Sequence, residues 1–585
     1  MMQRLLLGMM ACVVAMASWA QLTIGGTPLV YDSRTRTYML TVPQEAFGAP
    51  YHASIVPDAN VTNVVINGVT VTQEVEFPLV DGTTQYTLSF KRNNTVVRSS
   101  IHFTYLPIMC LTGTLGNEYV QVPVQIIFPG QQVMNYKARV KQAGSSTNTQ
   151  WVHKHNYHVK FVDDDGEKMD VSFFGLRTDN HWRLDAGTRD MIRFRNFAAN
   201  GLWADFGTRS YYADKQPGAR SYIRGSHVEV FLNGKYNGFY NFSEFLDRKQ
   251  LKLKKYVQHD DIDDNDSSLT SVELRGMMWK ANDETAQTLF AQANDTCDNT
   301  LDEWYSFSLA YPDIDEVCPT DYSVIQNAVA FVADSDDDTF LSEAARYFDL
   351  PVLIDYYLFI NVVFAIDNVC NNMVYACYDM SQDKKLTFAV WDLDATVGQN
   401  YTDIEGYYRA DAIQPERELD SVPATMCQLS VNRLFGRVRA LPGFMSAVKK
   451  RYWELRQGIL RPDSLVERYS AIYRRLDACG ALARETVRWS GTGDTDHRML
   501  DFPDEMDYLC DWIRRRIAHL DSHTFAPAMG DVNGDDVIDV ADVSQLIMHI
   551  LGNASLPCPS AADLNGDAAI DVADVATLIG RILGD

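Results

Sequence analysis

From residue 21 to about 105, apolar and polar positions alternate in short runs broken by turn residues. Tyr38–Val42 and Tyr86–Phe90 read as strands, because a period of two puts alternate side chains on one face. Asn67-Gly68 and Asp81-Gly82 read as hairpin turns, since both dipeptides accept the left-handed backbone of a tight turn. Even spacing without a helical period predicts a small immunoglobulin-like β-sandwich over residues 21–105. It carries no evident chemistry and reads as a spacer or packing module. The chain then stays strand-rich through Ala138–Lys141, Lys154–Phe161 and Phe174–Arg177. Asp185–Trp203 reads as a helix. Val228–Glu244 reads as a hairpin about Asn233-Gly234.

The central pattern is an apolar run, Tyr357–Ile366, that delivers Asp367. Asn372 completes D-x-x-x-x-N. A strand, Met373–Tyr378, a polar turn, Ser381–Lys385, and a second strand, Leu386–Trp391, then deliver Asp392 and Asp394. From Val431 to about Ser522 the period turns helical: Phe444, Ala447, Val448 and Tyr452 recur at helix spacing, followed by Val466, Tyr469 and Tyr473. These stripes read as core. Beyond a linker, Thr524–Gly530, lies a duplication. Asp531–Asp542, DVNGDDVIDVAD, recurs as Asp563–Asp574, DLNGDAAIDVAD, and each copy opens a helix ending at Leu551-Gly552 or Leu583-Gly584.

Length and composition narrow the class. A chain of 585 residues is too long for one core, so several domains are expected. Acidic residues outnumber basic ones, 77 to 52, for a net charge of −25, which argues against a nucleic-acid partner. Residues 1–20 read as a signal peptide: Arg4 supplies the charge, Leu5–Ala17 the apolar core and Ser18-Trp19-Ala20 the cleavage site. No later stretch is long and apolar enough to span a membrane. Of the ten cysteines only Cys12 falls in that leader, and the rest form no C-x-x-C pair, so zinc is not expected. Export permits disulfides, and Cys297 and Cys318 flank an acidic loop that a bridge could close. His259–Asp266 lacks the glycine and terminal glutamate of a calcium hand and reads as a solvated loop. His153, His155 and His158 have no matched carboxylate, so no metal is expected there.

D-x-x-x-x-N, then a hairpin, then an acid, is the order in which protein kinases present a catalytic Asp, a metal-binding Asn and a metal-binding Asp. The plainer reading is that Asp and Asn sit in turns at strand ends. On Asp367, Asn372, the hairpin ending W-D-L-D, and N-G-x-Y-x-G-x-Y ahead of Glu244, the chain resembles the CotH kinase-like (spore coat protein H) family over residues 106–525. The resemblance implies an α+β atypical protein-kinase-like, two-lobed domain using Mg2+ and ATP. It makes Asp367 the catalytic aspartate, with Asn372 and Asp392 or Asp394 as magnesium ligands. It makes Gly144, Ser145 and Ser146 the loop over the phosphates. Lys154 or Lys160 would steady those phosphates, and Glu244 would lie at the hinge beside adenine. The helix over Asp185–Trp203 would pack behind the nucleotide. The chain departs from the family in having Gln142-Ala143 where an arginine usually precedes the loop's glycine, and it has no G-x-G-x-x-G.

Each repeat copy sets oxygen side chains at positions 1, 3, 5, 9 and 12 of a loop, as calcium requires. The first offers Asp531, Asn533, Asp535, Asp539 and Asp542; the second Asp563, Asn565, Asp567, Asp571 and Asp574. The helix that enters each loop of an EF-hand is missing. The duplication resembles a type I dockerin over residues 526–585, a small all-α calcium-binding module, which implies two bound Ca2+ and a cohesin-bearing scaffold protein as partner. Val540-Ala541 and Val572-Ala573 stand where that family usually carries a hydroxyl pair. The expectation is therefore a multidomain secreted protein. A β-sandwich precedes a kinase that transfers phosphate from ATP to Ser or Thr of an exported protein, displayed by a dockerin. The alternative is a non-catalytic structural or adhesion component of a cell-surface or cellulosome-like complex, favoured by the scarcity of ATP outside cells. A glycan-active enzyme finds no support, since no separate pair of acids takes acid and nucleophile roles.

Overall fold

The structure, a computed structural model, describes residues 22–131, 133–144, 147–260, 270–294, 296–399, 409, 411–422, 428–492 and 499–584. The leader at 1–20, Ser145, Ser146 and most of the His259–Asp266 loop lie outside the described residues. The chain divides into two units. One comprises Met1–Phe194, Arg224–Phe245 and Ser470–Glu505, the other Arg195–Ile223, Leu246–Tyr469 and Met506–Asp585.

The first unit opens with two sheets. One orders Thr27–Pro28, Leu22–Ile24, Tyr51–Pro57 and Glu74–Phe77; the other orders Val30–Asp32, Thr37–Thr41, Thr95–Thr104, Tyr86–Arg92, Val61–Ile66 and Val69–Thr70. Their alternate residues, Leu22, Ile55, Phe77, Leu88 and Phe103 among them, meet in one apolar core. Asn67-Gly68 turns the chain between paired strands, both residues at positive φ (49° and 81°). Asp81-Gly82 is not a hairpin turn. The strands flanking it pair in different sheets, Glu74–Phe77 with Tyr51–Pro57 and Tyr86–Arg92 with Thr95–Thr104. The dipeptide marks a bend, which the Asp81 carboxylate closes by accepting from the Thr83 backbone N–H at 2.8 Å.

Seven strands then close a barrel: β1 (Ile108–Leu111), β2 (Val120–Ile127), β3 (Met134–Ala143), β4 (Asn156–Val162), β5 (His181–Asp185), β6 (Gly225–Leu232) and β7 (Lys235–Ser243), in the order β1-β2-β3-β4-β5-β7-β6. Val124, Val140, Val159, Trp182, Val230 and Tyr240 fill its interior. Asn233-Gly234 joins β6 to β7 with both residues left-handed (φ 51° and 71°), as a two-residue hairpin loop demands. The helix Ala481–Trp489 packs on β7. The helix expected over Asp185–Trp203 begins later. Asp185 ends β5, and Gly187 and Arg193 take positive φ (58° and 70°), which no helix accommodates.

In the second unit that helix is α1 (Arg195–Phe206), followed by α2 (Ser323–Asp334), α3 (Asp337–Tyr347), α4 (Leu350–Val363), α5 (Arg433–Val438), α6 (Phe444–Arg456), α7 (Phe502–His519), α8 (Val540–Ile550) and α9 (Val572–Leu583). A five-stranded sheet, β8 (Met277–Ala281), β9 (Glu303–Trp304), β10 (Phe307–Tyr311), β11 (Val374–Cys377) and β12 (Leu386–Ala389), runs in the order β9-β10-β8-β11-β12. The α4 helix is apolar almost all round and is buried accordingly. Among the described residues no helix is long and apolar enough to cross a membrane. Cys297 and Cys318 are free thiols, so the bridge that could have closed the loop between them is not formed. The Cys297 thiol instead lies 3.2 Å from Asn299 Oδ1.

Candidate functional site

Asp367 stands where α4 stops. Phe364 takes a left-handed backbone and ends the helix, and a single 3-10 turn, Ile366–Asn368, follows. Ile366, Asn368, Val369 and Cys370 are buried and fix this turn, which leaves Asp367 half-buried. The two Asp367 oxygens accept from Asn371 Nδ2 at 2.9 Å and Asn372 Nδ2 at 2.7 Å. Asn372 is itself left-handed (φ 53°), and its backbone N–H donates to Ala281 O of β8 at 2.8 Å. Asn368 Nδ2 donates to Trp391 O at 2.7 Å, which ties the turn to the end of β12. The next residue, Asp392, is also left-handed (φ 54°). Burial, with the charge of Asp392 behind it, pushes the Asp367 carboxyl up to about 7, against the hydrogen bonds from Asn371 and Asn372 and the charge of Lys280. Asp367, Asn372 and Asp392 are thus gathered at one end of the β11–β12 pair. Asp394 is half-buried two residues on, beyond Leu393, whose N–H donates to Asn196 Oδ1 of α1 at 3.1 Å.

The donor set suits a hard cation. Oδ1 of Asn368 and Oδ1 of Asn371 are buried with no hydrogen-bond partner, beside carboxylates that repel one another. All are oxygen atoms, the ligand type of magnesium rather than zinc. Among the described residues no three His, Cys, Asp or Glu side chains are gathered as a metal site. A cation at this turn would therefore rest on mixed carboxylate and amide oxygens. Asn368, Asn371 and Lys280 belong to this cluster but carry no signal in the sequence motifs. Asn371 looks like any loop asparagine, and Lys280 comes from β8, paired with Val374 of β11, with no motif around it.

The other expected site residues lie in the first unit. Gly144 follows β3 at φ 103°, and a Cβ there would collide with Thr147 Oγ1, so the loop needs glycine twice over. Lys154 precedes β4 and is fully buried. Its ammonium donates to Ala186 O at 3.0 Å, Phe239 O at 2.8 Å and Glu485 Oε1 at 2.8 Å, which uses all three hydrogens inside the protein. Burial, only partly offset by Glu485, lowers its pKa to about 8. Arg193 Nε also donates to Glu485, at 3.2 Å, and a Cβ on Gly238 would collide with Glu485 Oε2. Glu244 is likewise buried and engaged, accepting from the Arg177 backbone N–H and from Arg224 Nη2, each at 2.9 Å.

Lys160 is different. It is half-buried on the outer face of β4, its ammonium 4.6 Å from the centre of the Tyr119 ring, and Lys141 of β3 sits 4.8 Å from the same ring. Strand register adds Arg139, His158, His181 and Arg183 to this face. Burial, then the neighbouring cations, lower His158 to about 3 and His181 to about 2, so both rings are neutral at ordinary pH. In a chain of net charge −25, this is a concentrated basic face.

The repeat builds two loops with matching internal bonds. Asp531 Oδ1 accepts from the backbone N–H of Gly534 at 2.8 Å and of Asp535 at 3.1 Å; Asp563 Oδ1 accepts from Gly566 and Asp567 at the same distances. Asp542 and Asp574 reach back to Val532 N at 2.9 Å and Leu564 N at 2.7 Å. Asp539 and Asp571 cap α8 and α9, each accepting from an alanine N–H at 2.7 Å. Asn533 Oδ1 and Asn565 Oδ1 accept from Asp535 N and Asp567 N. Burial raises the Asp531 and Asp542 carboxyls, with a neighbouring Asp adding to each. Such buried acid pairs fit a divalent cation that relieves them.

The family model described as CotH kinase protein matches residues 140–520, and that of the dockerin type I domain matches residues 529–583. No curated protein matches the chain. A solved structure of titin Ig tandem domains aligns at 13% identity over 25% of this chain and 92% of that one; its TM-score of 0.08 carries no argument.

Proposed function

Since the chain belongs to the CotH kinase protein family and ends in a type I dockerin domain, we propose that it is an exported ATP- and magnesium-dependent kinase. It phosphorylates Ser or Thr of exported or surface proteins while its dockerin holds it on a cohesin-bearing scaffold. The observation that carries this reading is the turn at Asp367, whose carboxylate is bracketed by two asparagine amides beside Asp392. Asp367 orients the attacking hydroxyl and takes its proton. Asn372 and Asp392 are the magnesium ligands, with Asp394 the alternative to Asp392. Bound there, magnesium neutralises phosphate charge. Lys280 supplies a protein cation at the same turn. In the first unit, Lys160, with Lys141 beside it, is the lysine proposed to supply phosphate charge, and Gly144, Ser145 and Ser146 are the residues proposed to cover the phosphates. Lys154 then acts as an internal support, and Glu244 holds the strand end from which a hinge would start.

Incubating the full chain with γ-labelled and with α-labelled ATP plus magnesium, in the presence of exported proteins and with intact-mass readout, tests the proposal. Label from the γ position alone is expected in protein; α-label would mean transfer of the nucleotide. No transfer at all would favour a non-catalytic scaffold component, a reading helped by the internal engagement of Lys154 and Glu244.

Magnesium affinity should depend on pH. Without metal the Asp367 carboxyl stays protonated until pH approaches 7, well above its ordinary value. A cation beside it favours the ionised form, so uptake releases a proton below that pH. Magnesium affinity is expected to rise with pH, by up to about tenfold per unit, and to level off above 7. Calorimetry in buffers of differing ionisation enthalpy reads the proton directly; pH-independent uptake would count against a cation at this turn.

A further inference from the structure

The two loops of the repeat match internally but not in their surroundings. Asp536 and Ala568 occupy the same loop position and the same left-handed conformation (φ 66° and 67°). Their backbone N–H groups make equivalent bonds, to Asp531 Oδ2 at 2.9 Å and Asp563 Oδ2 at 3.0 Å. Only the first carries a carboxylate, which turns outward to α6. Asp536 Oδ1 lies 2.7 Å from Lys449 Nζ, and Asp536 Oδ2 accepts from Ser446 Oγ at 3.4 Å. One helix stripe continues the contact, since residues three and four apart share a face. Trp453, 4% exposed, donates its Nε1–H to Phe525 O at 3.0 Å, and Gln457 Nε2 donates to Pro557 O at 3.2 Å.

The loop glycines repeat the contrast. A Cβ on Gly534 would sit 2.7 Å from Trp453 Cδ1, so the first loop is packed against the indole. A Cβ on Gly566, at nearly the same φ (76° against 77°), would meet nothing within 4 Å. Val540 and Val572, which open α8 and α9, are 69% and 72% exposed, so the contact with α6 leaves both helix starts uncovered.

We infer that the first loop is a latch: its ordering by calcium fastens the docking module to α6, whereas the second loop orders the module alone. Asp536 is not among the expected calcium ligands, so its carboxylate can hold Lys449 while the loop is loaded. The inference rests on the calcium reading of the repeat and adds a division of labour between its halves. A docked module would present its exposed helix starts in a fixed direction from the helical unit rather than on a swinging tether.

The test uses the full chain, with calcium as the probe, and reads hydrogen exchange of residues 444–456 and calcium uptake by calorimetry. Calcium is expected to slow exchange along α6 in the native chain. Gly534→Ala and Gly566→Ala incur the same backbone strain, but only the first meets Trp453, and with it Cys558 Sγ of the module itself. G534A should abolish calcium-dependent protection of α6, and G566A should leave it intact while weakening one calcium site. Lys449→Ala, which cannot disturb the loop's own backbone, should weaken the other site roughly threefold, as befits a partly exposed ion pair. Equal protection of α6 in the two glycine variants, with calcium still bound, would overturn the latch alone. Absence of calcium uptake at either loop would overturn the calcium reading and the latch with it.

Discussion

Asp367→Asn is expected to lower phosphoryl transfer by about 10³-fold, the usual worth of a positioned base, while magnesium–ATP still binds, no more weakly than to the native chain below pH 7, where Asp367 is protonated. The substitution is nearly isosteric. The two amides that face Asp367 can accommodate it, because Asn371 Oδ1 has no partner now and can turn to accept from the new NH2 group. Folding should therefore survive, and loss of transfer would report lost proton acceptance rather than a collapsed turn. Paired measurements separate the roles: label transfer gives the rate and calorimetry gives nucleotide binding. Unchanged transfer would remove Asp367 from the chemistry. Lost binding together with lost transfer would make it a metal ligand instead of a base.

Glu485→Leu is expected to destabilise the first unit by about 3–5 kcal/mol, the typical cost of stripping the partner from a buried charge. Glu485 is fully buried and receives Lys154 Nζ at 2.8 Å, Arg193 Nε at 3.2 Å and the Phe239 N–H at 3.2 Å. Removing it leaves two cations in the interior without their shared carboxylate. Lys154→Met removes one of those cations while Arg193 continues to neutralise the carboxylate, so it should cost less, about 1–3 kcal/mol. Glu485→Gln should fall between, since it keeps the acceptor but not the charge. Urea unfolding of the full chain, followed through hydrogen exchange of β4 and β7, gives the ranking. A smaller cost for Glu485→Leu than for Lys154→Met would show that the carboxylate is not the hub of this network.

What the sequence made legible was local. Asp367, Asn372 and Asp392 fall within a few dozen residues, and a short turn followed by a hairpin is enough to bring them together. The Asn233-Gly234 hairpin and the duplicated loops were readable for the same reason. Lys280 was not, because its approach to Asp367 depends on the pairing of β8 with β11, which no local pattern specifies. Lys154 misled for a related reason. Alternation puts it on the same face as Lys160 only if the strand already includes it, but β4 starts at Asn156, and the preceding turn sends Lys154 inward to a glutamate far along the chain. Asp81-Gly82 shows the limit of turn chemistry: a dipeptide fixes a bend without choosing which strands pair across it.

Asn372 and Asp392 share a backbone conformation that most side chains avoid and glycine adopts freely. Backbone strain of up to about 1 kcal/mol at each favours glycine, set against the bond that Asn372 makes to Asp367. A task performed by those oxygens adds to what opposes the drift. In a lineage where that task lapsed, these two codons would be among the first to relax, with the lost bond to Asp367 offset by relief of strain. A descendant with glycine at both places would keep its architecture and its scaffold address, and the two substitutions would date the loss of its chemistry.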